Sequence, residues 1–375
     1  MRIRAASLFG FALPLARLLP APQAPAANRE GLLLRLADEV GHEALGEATP
    51  LAGFSPDTLA TTRRDLEHFC HTAVEHRIPE GLEALDGGFE AWLGTSGYGP
   101  AARCAVEAAI LGLVAARRGL GLARLLNPAA PTEVAVNGLV SGAPDDAAAG
   151  ARRLVAAGHH TLKLKVGGLE PDPEIARITT VREAMGPGTR LRLDANRAWP
   201  VAVARGLLED LVRQPVGAGA TIEYVEEPAS DLEGFRALGA LGLAPLALDE
   251  GLREMAPEAL AAVAGLGAVV LKPTLLGLEH AAAFAREARR LRLGVVVGST
   301  FESGVGVGIL AHLAAAWAEA GCAAGLGTLG WFGRDLPASP VETSPGFMPV
   351  DPAQAAPPEL DTTLLSPLHG SPTPS

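Results

Sequence analysis

The chain has 375 residues, 48% of them apolar and 19% charged, with 42 carboxylates against 31 basic groups and a formal charge of −11. That composition excludes a chain disordered along most of its length. The lack of any basic run, in a molecule whose overall field repels phosphate, excludes nucleic acid as a partner. Cys70, Cys104 and Cys322 are odd in number and far apart, which excludes a disulfide framework and predicts reduced thiols in a cytoplasmic setting. The longest apolar stretch without an acid or base, between Glu302 and Glu319, holds 16 residues. A membrane span needs roughly 20, so no membrane association is expected.

Elements follow in chain order. Arg2 and Arg4 precede an apolar run from Ala5 to Ala16 that imitates a signal peptide. Pro14 and Arg17 interrupt it, and it reads as a folded first strand. Leu32–Leu34 and the 41–46 stretch predict a hairpin. Ser55 is the expected N-cap of the next helix, with Pro56 at its first position. Pro100 opens another helix, running to about Arg118. From residue 129 to 335, short β-branched or Leu-rich runs alternate with helical stretches. The runs are Val134–Val136, Leu162–Val166, Leu191–Asp194, Ile222–Val225, Leu246–Asp249, Val269–Lys272, Val295–Val297 and Ala324–Thr328. Eight strands in such alternation predict a closed parallel barrel. An open doubly wound sheet is the alternative, weakened because no G-x-G-x-x-G follows the first strand. Residues 336–375, rich in Pro and Ser, are expected to form a largely irregular tail.

Only three of the 31 basic residues are lysines, namely Lys163, Lys165 and Lys272, and all three fall on predicted strands. Arg is permanently protonated, whereas a desolvated Lys can exchange a proton, so Lys persists where a base is needed. Strand alternation puts Lys163 and Lys165 on one face, with Leu162, Leu164 and Val166 on the other. Arg192, Asp194 and Asn196 share a face of the next strand. Glu226, Asp249 and Lys272 end the three strands after that, at intervals that each fit one βα unit. Barrel enzymes build their sites at such C-terminal strand ends. A single strand-end Asp is as readily a helix N-cap; three acids in register beside three lysines point to chemistry. Three oxygen ligands without His or Cys suit Mg²⁺, with Mn²⁺ also compatible, and disfavour Zn²⁺. Such a cation would hold a substrate carboxylate while a neutral Lys removes the proton α to it, so the expected partner is a small-molecule carboxylate.

These residues resemble the enolase superfamily, and within it the o-succinylbenzoate synthase family. The likeness rests on Lys163-x-Lys165, Leu191-Arg-Leu-Asp-Ala-Asn-Arg-Ala-Trp199, Val225-Glu-Glu-Pro228, Leu248-Asp-Glu250, Leu271-Lys-Pro-Thr274 and the 46–55 segment. It implies an N-terminal α+β capping domain (1–128), a (β/α)7β TIM-like barrel (129–335), and dehydration of a succinyl-hydroxycyclohexadiene carboxylate to o-succinylbenzoate, on the route to menaquinone or phylloquinone. By resemblance, Lys165 is the base and then the acid, Lys272 stabilises the intermediate from the opposite face, and Lys163 assists at the carboxylate. Asp194, Glu226 and Asp249 would ligate Mg²⁺, with Asn196 and Glu250 behind them. Arg192, Gly298, Ser299 and Gly325 would support or bind substrate, the Gly298–Ser303 segment through backbone N–H groups. Arg29 and the 46–55 loop would supply capping-domain contacts. Such an enzyme would act as a monomer or a homo-oligomer. Two departures stand out: Gly298 replaces a common Ser, and Gly327 replaces a common Asp, which puts support at the eighth strand in question. A racemase or epimerase of N-acyl amino acids or dipeptides would use the same lysines. A non-catalytic enolase-like binding protein is the rival from another class, and the intact set of lysines and acids argues against it. A sugar-acid dehydratase would add a His to the seventh-strand region, where none stands.

Overall fold

The computed structural model describes all residues except 18–26, 75, 95–96, 215–218, 320, 342, 345, 355 and 371–375. The amino-terminal region contains β1 (Ile3–Pro14), β2 (Asn28–Asp38), β3 (Glu43–Ala48), α1 (Leu59–Ala73), α2 (Gly88–Leu93), α3 (Pro100–Arg117) and α4 (Leu122–Leu126). There follow β4 (Glu133–Ala135), β5 (Gly138–Val140), α5 (Pro144–Ala156), β6 (Thr161–Lys165), α6 (Pro171–Met185), β7 (Arg190–Asp194), α7 (Val201–Arg213), β8 (Thr221–Glu226), α8 (Leu232–Gly239) and β9 (Leu246–Leu248). The remainder comprises β10 (Leu266–Leu271), α9 (Pro273–Leu276), α10 (Leu278–Arg290), β11 (Gly294–Val297), α11 (Gly304–Trp317), β12 (Phe347–Pro349) and β13 (Leu365–His369). Among the described residues, no helix is long and apolar enough to cross a membrane.

The first sheet is antiparallel, in the order β13-β1-β2-β3. The apolar run near the start of the chain forms β1, and Leu32 of the predicted hairpin pairs with Ala48. Alternation sends the sheet's side chains to two sides. Leu8, Leu32, Leu34 and Leu36 join the large core with Leu66 and Phe69 of α1 and Leu111 and Leu113 of α3. Phe9, Phe11, Leu13, Leu33 and Leu45 pack with Val305 of α11 and Leu336. Gly46 is required where β3 meets α3, because a Cβ there would lie 1.8 Å from the Ala105 carbonyl oxygen. The N-cap of α1 is Thr58, in a reciprocal capping box with Thr61, and not the expected Ser55. Ser55 Oγ instead accepts the Leu51 amide at 2.7 Å.

The second sheet is parallel and holds β5 to β11 in sequence order. It is a TIM-like barrel closed by a minimal eighth strand. Ala324 bridges Val136 on one side, and Gly325 bridges Gly298 on the other. The Ala324 amide donates to the Ala135 carbonyl at 2.7 Å and the Gly325 amide to the Val297 carbonyl at 2.8 Å. Residues 326–328 of the predicted eighth run add no bridge.

The Val134–Val136 run divides: Val134 pairs with Met348 in a separate two-stranded ribbon, Val136 bridges Ala324 at the barrel seam, and β5 carries the strand on against β6. Most of the described residues of the tail lie outside helices and strands, yet two short strands stand among them. β12 supplies that ribbon, and β13 pairs with Leu8–Phe11 of β1. An apolar sheet edge needs a cover, and distant residues provide it.

Candidate active site

The site lies where β6 to β10 end. The register pairs Lys165 with Asp194 and Asp194 with Glu226, so the first two acids stand side by side. Asp249 follows directly after β9, with φ −125° and ψ −86°, where the strand turns away. On β6, Leu162 and Leu164 are buried against the helices while Lys163 and Lys165 retain access to the mouth. Lys272 follows β10. β6 and β10 are four strands apart, which in an eight-stave barrel places the lysine pair across the mouth from Lys272.

Ammoniums and carboxylates interlock. Lys163 Nζ lies 2.7 Å from both Asp194 Oδ2 and Glu226 Oε1. Lys165 Nζ donates to Asp194 Oδ2 and Asn196 Oδ1, each at 2.6 Å, and Lys272 Nζ donates to Asp249 Oδ2. Asn196 Nδ2 donates to Glu250 Oε1 at 3.1 Å, and the Asn196 amide to Asp194 Oδ1 at 3.1 Å. Burial alone would raise the Asp194 pKa, but Lys163 and Lys165 outweigh it and hold the carboxyl well below the usual range. Glu226 is pushed up to about 7, because burial and the charge of Asp194 exceed the pull of Lys163. Asp249 is raised by burial despite Lys272, with Glu250 adding to the rise. Burial would lower Lys163, yet Asp194 and Glu226 carry it well above the ordinary lysine value.

Among the described residues, no three acids, His or Cys are already spaced as a metal cage; the acids close on ammoniums instead. The set nevertheless suits a hard divalent cation. All its donors are oxygens, and Glu226 Oε2 and Glu250 Oε2 are buried without a hydrogen-bond partner. Lys163 Nζ, bridging two acids, marks where positive charge is accepted.

Residues 146–354 match the family described as Enolase C-terminal domain-like, and residues 3–83 match the one described as MenC, N-terminal domain. The chain belongs to the enolase superfamily. Arabidopsis thaliana Protein PHYLLO, chloroplastic, is 31% identical over 305 residues, 75% of this chain and 17% of that protein. The o-succinylbenzoate synthase of Thermobifida fusca is 34% identical over 210 residues, 55% of this chain and 63% of that protein. The chain thus spans less than two thirds of these two relatives. It is 30% identical over 330 residues to the o-succinylbenzoate synthase of Citrobacter koseri, covering 87% of this chain and 91% of that one. The L-Ala-D/L-Glu epimerase of Bacillus subtilis is 27% identical over 310 residues, 81% of this chain and 82% of that one. Its substrate-liganded structure superposes with a TM-score of 0.82 at 24% identity, over 96% and 99% of the two chains. An enolase superfamily member from Roseovarius nubinhibens ISM, in complex with magnesium, superposes with a TM-score of 0.84 at 23% identity, over 99% of each. At these identities the structural likeness establishes the fold.

In this superfamily member the expected substrate-binding residues have other partners. Arg192 is fully buried. Its guanidinium donates to Glu223 Oε2 at 2.7 Å, the Ala323 carbonyl at 2.7 Å, Asn137 Oδ1 at 3.3 Å, Glu223 Oε1 at 3.3 Å and Cys322 Sγ at 3.9 Å. Every donor is engaged inside the barrel, where Arg192 ties β7 to the eighth strand. The amides of Gly298, Ser299 and Gly325 are spent on barrel closure, donating to the carbonyls of Leu271, Gly325 and Val297. The next amides also have partners within the chain: Thr300 to Glu302, Phe301 and Glu302 to Ser299 Oγ, Ser303 to Glu47 and Gly304 to Asp335. A Cβ at Gly298 would lie beside Lys272, 3.7 Å from its Cγ, and 3.3 Å from Val270 Cγ1. Arg29 is buried and donates to the carbonyls of Thr49, Pro50, Thr300 and Phe301, so it ties the capping domain to the barrel rather than reaching for substrate.

Two residues outside the expected set belong to the site's surroundings. Phe54, on the 46–55 loop, places its ring 5.8 Å from Lys272 Nζ. Glu227 lies behind Asp249. Strand alternation turns it away from the mouth, so only its place in the Glu-Glu-Pro motif could have signalled it.

Proposed function

We propose that the protein is an o-succinylbenzoate synthase, which removes water from 2-succinyl-6-hydroxy-2,4-cyclohexadiene-1-carboxylate. The observation that carries this reading is the placement of Lys163 and Lys165 opposite Lys272 around Asp194, Glu226 and Asp249. The synthase relatives and the MenC-type amino-terminal region favour this substrate over others accepted by the same set.

Lys165 takes the proton α to the ring carboxylate, and the carbanion is delocalised into that carboxylate. Lys272, as an ammonium on the opposite face, stabilises the resulting negative charge. Lys165 then returns its proton to the departing hydroxyl, so that water leaves and the ring becomes aromatic. Lys163 keeps positive charge between Asp194 and Glu226. Asp194, Glu226 and Asp249 would hold Mg²⁺, or Mn²⁺, which when bound supplies a positive charge for the substrate carboxylate.

Epimerisation of an N-acyl amino acid or dipeptide is the second reading. Two lysines on opposite sides of one α-carbon can remove and return a proton from either face, and the Bacillus subtilis epimerase is similar over most of the chain. The test is decay of the diene absorbance of the cyclohexadiene substrate, with Mg²⁺ and then with EDTA. Fast, metal-dependent decay supports the synthase. A folded, Mg²⁺-binding protein that leaves the diene intact while racemising N-succinyl amino acids or dipeptides supports the epimerase.

A further inference from the structure

We infer that Glu227 is a positioning residue which holds the Asp249 carboxylate in place and so sets the affinity of the site for a divalent cation. The inference rests on the reading of Asp249 as a cation ligand. Glu227 follows the last residue of β8 and is 1% exposed. Its φ is +42°, a conformation that a residue with a side chain adopts only at a cost. The chain accepts that cost where the next strand needs support.

The contacts are directed at backbone. Glu227 Oε1 accepts the Asp249 amide at 2.8 Å and the Gly251 amide at 2.7 Å. Asp249 has left the strand conformation, so its amide has no ladder partner and Glu227 substitutes for one. Gly251 permits this approach: a Cβ there would lie 2.7 Å from Leu248 Cδ2 and 3.0 Å from Glu227 Oε1. Glu227 Oε2 accepts Arg197 Nε at 3.0 Å, and the Arg197 amide donates to the Glu227 carbonyl at 2.8 Å. Arg197 also has positive φ, +62°, and donates through its other arm to Glu254 Oε1 at 2.6 Å. One carboxylate therefore grips the 249–251 turn and is itself gripped by the end of β7. That turn carries Asp249 and Glu250, which face Lys272 and Asn196 respectively. Fixing its backbone fixes the direction of both carboxylates. Groups that orient ligands in this way govern metal affinity.

The experiment compares Glu227→Met and Glu227→Gln. Met fills the volume without an acceptor, whereas Gln keeps an oxygen for the two amides. Mn²⁺ binding to the folded full chain, without substrate, is followed by electron paramagnetic resonance, with circular dichroism confirming the fold. The expected result is a loss of affinity of about 10- to 100-fold in Glu227→Met, largely restored in Glu227→Gln. Wild-type affinity in Glu227→Met overturns the inference, as does equal weakening in both variants, which would assign the effect to charge alone. Wild-type protein that binds no Mn²⁺ would instead overturn the cation site itself.

Discussion

The ring of Phe54, from the capping domain, is centred 5.8 Å from the Nζ of Lys272, at the end of β10. A cation facing an aromatic ring is stabilised, and here the two partners come from different domains. Arg29 braces the segment before Phe54 through the carbonyls of Thr49 and Pro50, and Arg253 donates to the Phe54 carbonyl at 2.6 Å. The loop is thus held over the lysine from both sides. Phe54→Ala is expected to lower kcat/KM by about 2- to 30-fold, the equivalent of a partly desolvated cation–π contact, with an unchanged melting temperature. Steady-state kinetics beside a thermal melt check this.

Lys165→Arg keeps a positive charge beside Asp194 and Asn196 but loses a group able to give up its proton. Turnover is expected to fall by about 10²- to 10⁴-fold while the far-ultraviolet dichroism stays that of the wild type. A folded Lys165→Arg protein with normal kcat would defeat the assignment of the base.

Arg192 offers a contrast in kind. Replacing it by Leu strips Glu223 and Asn137 of their partner and loosens the seam at Ala323. Destabilisation of about 3 kcal/mol is expected in urea unfolding, because the ion pair is broken from its buried end. The KM of the protein that remains folded should stay near the wild-type value. A large rise in KM with unchanged stability would show instead that Arg192 meets substrate.

The interface between the domains should respond to pH. Glu47 of β3 is buried, and burial pushes its pKa up to about 7 in spite of the Ser303 and Gly306 donors. The folded state therefore binds this proton more tightly than the unfolded chain, whose glutamates titrate near 4.5. The stability it contributes is complete below the unfolded pKa and is lost as pH rises through about 7. Glu107 of α3, also raised to about 7 by burial, acts in the same direction. The melting temperature should fall as pH rises from about 4.5 to about 7 and level off above that, and the slope should be shallower in Glu47→Gln. A scanning calorimetry series would sink this idea by finding identical slopes.

The six barrel strands from β6 to β11 were legible because buried parallel strands are short apolar runs, bounded by turns and ended by polar residues. β5 was not, since Gly138-Leu-Val140 carries almost no pattern and the neighbouring Val134 had a stronger one. Where the strand leaves the ribbon and joins the barrel is set by Met348 and Ala324, both nearly two hundred residues or more away. The Pro-rich tail concealed β12 and β13 for the same reason: their pairing is imposed by exposed edges elsewhere. In the site, the lysines and acids could be read from alternation alone. The fate of the backbone amides from Gly298 to Gly304 could not, because Glu47, Glu302 and Asp335 reach them only in the folded chain. Glu227 had no legible role because alternation turns it away from the mouth, and the Asp249 and Gly251 amides reach it only in the folded chain.

The pairing of β1 with β13 also orders events during synthesis. Leu8–Phe11 are synthesised about 350 residues before Leu365–His369. At about 5–20 residues per second, one edge of β1 waits tens of seconds for its permanent neighbour. Throughout that interval a nascent chain exposes an apolar strand edge, and a chain cut short before Leu365 exposes it permanently. Closing this edge therefore depends on translation through His369, about 350 residues after Leu8–Phe11 are made.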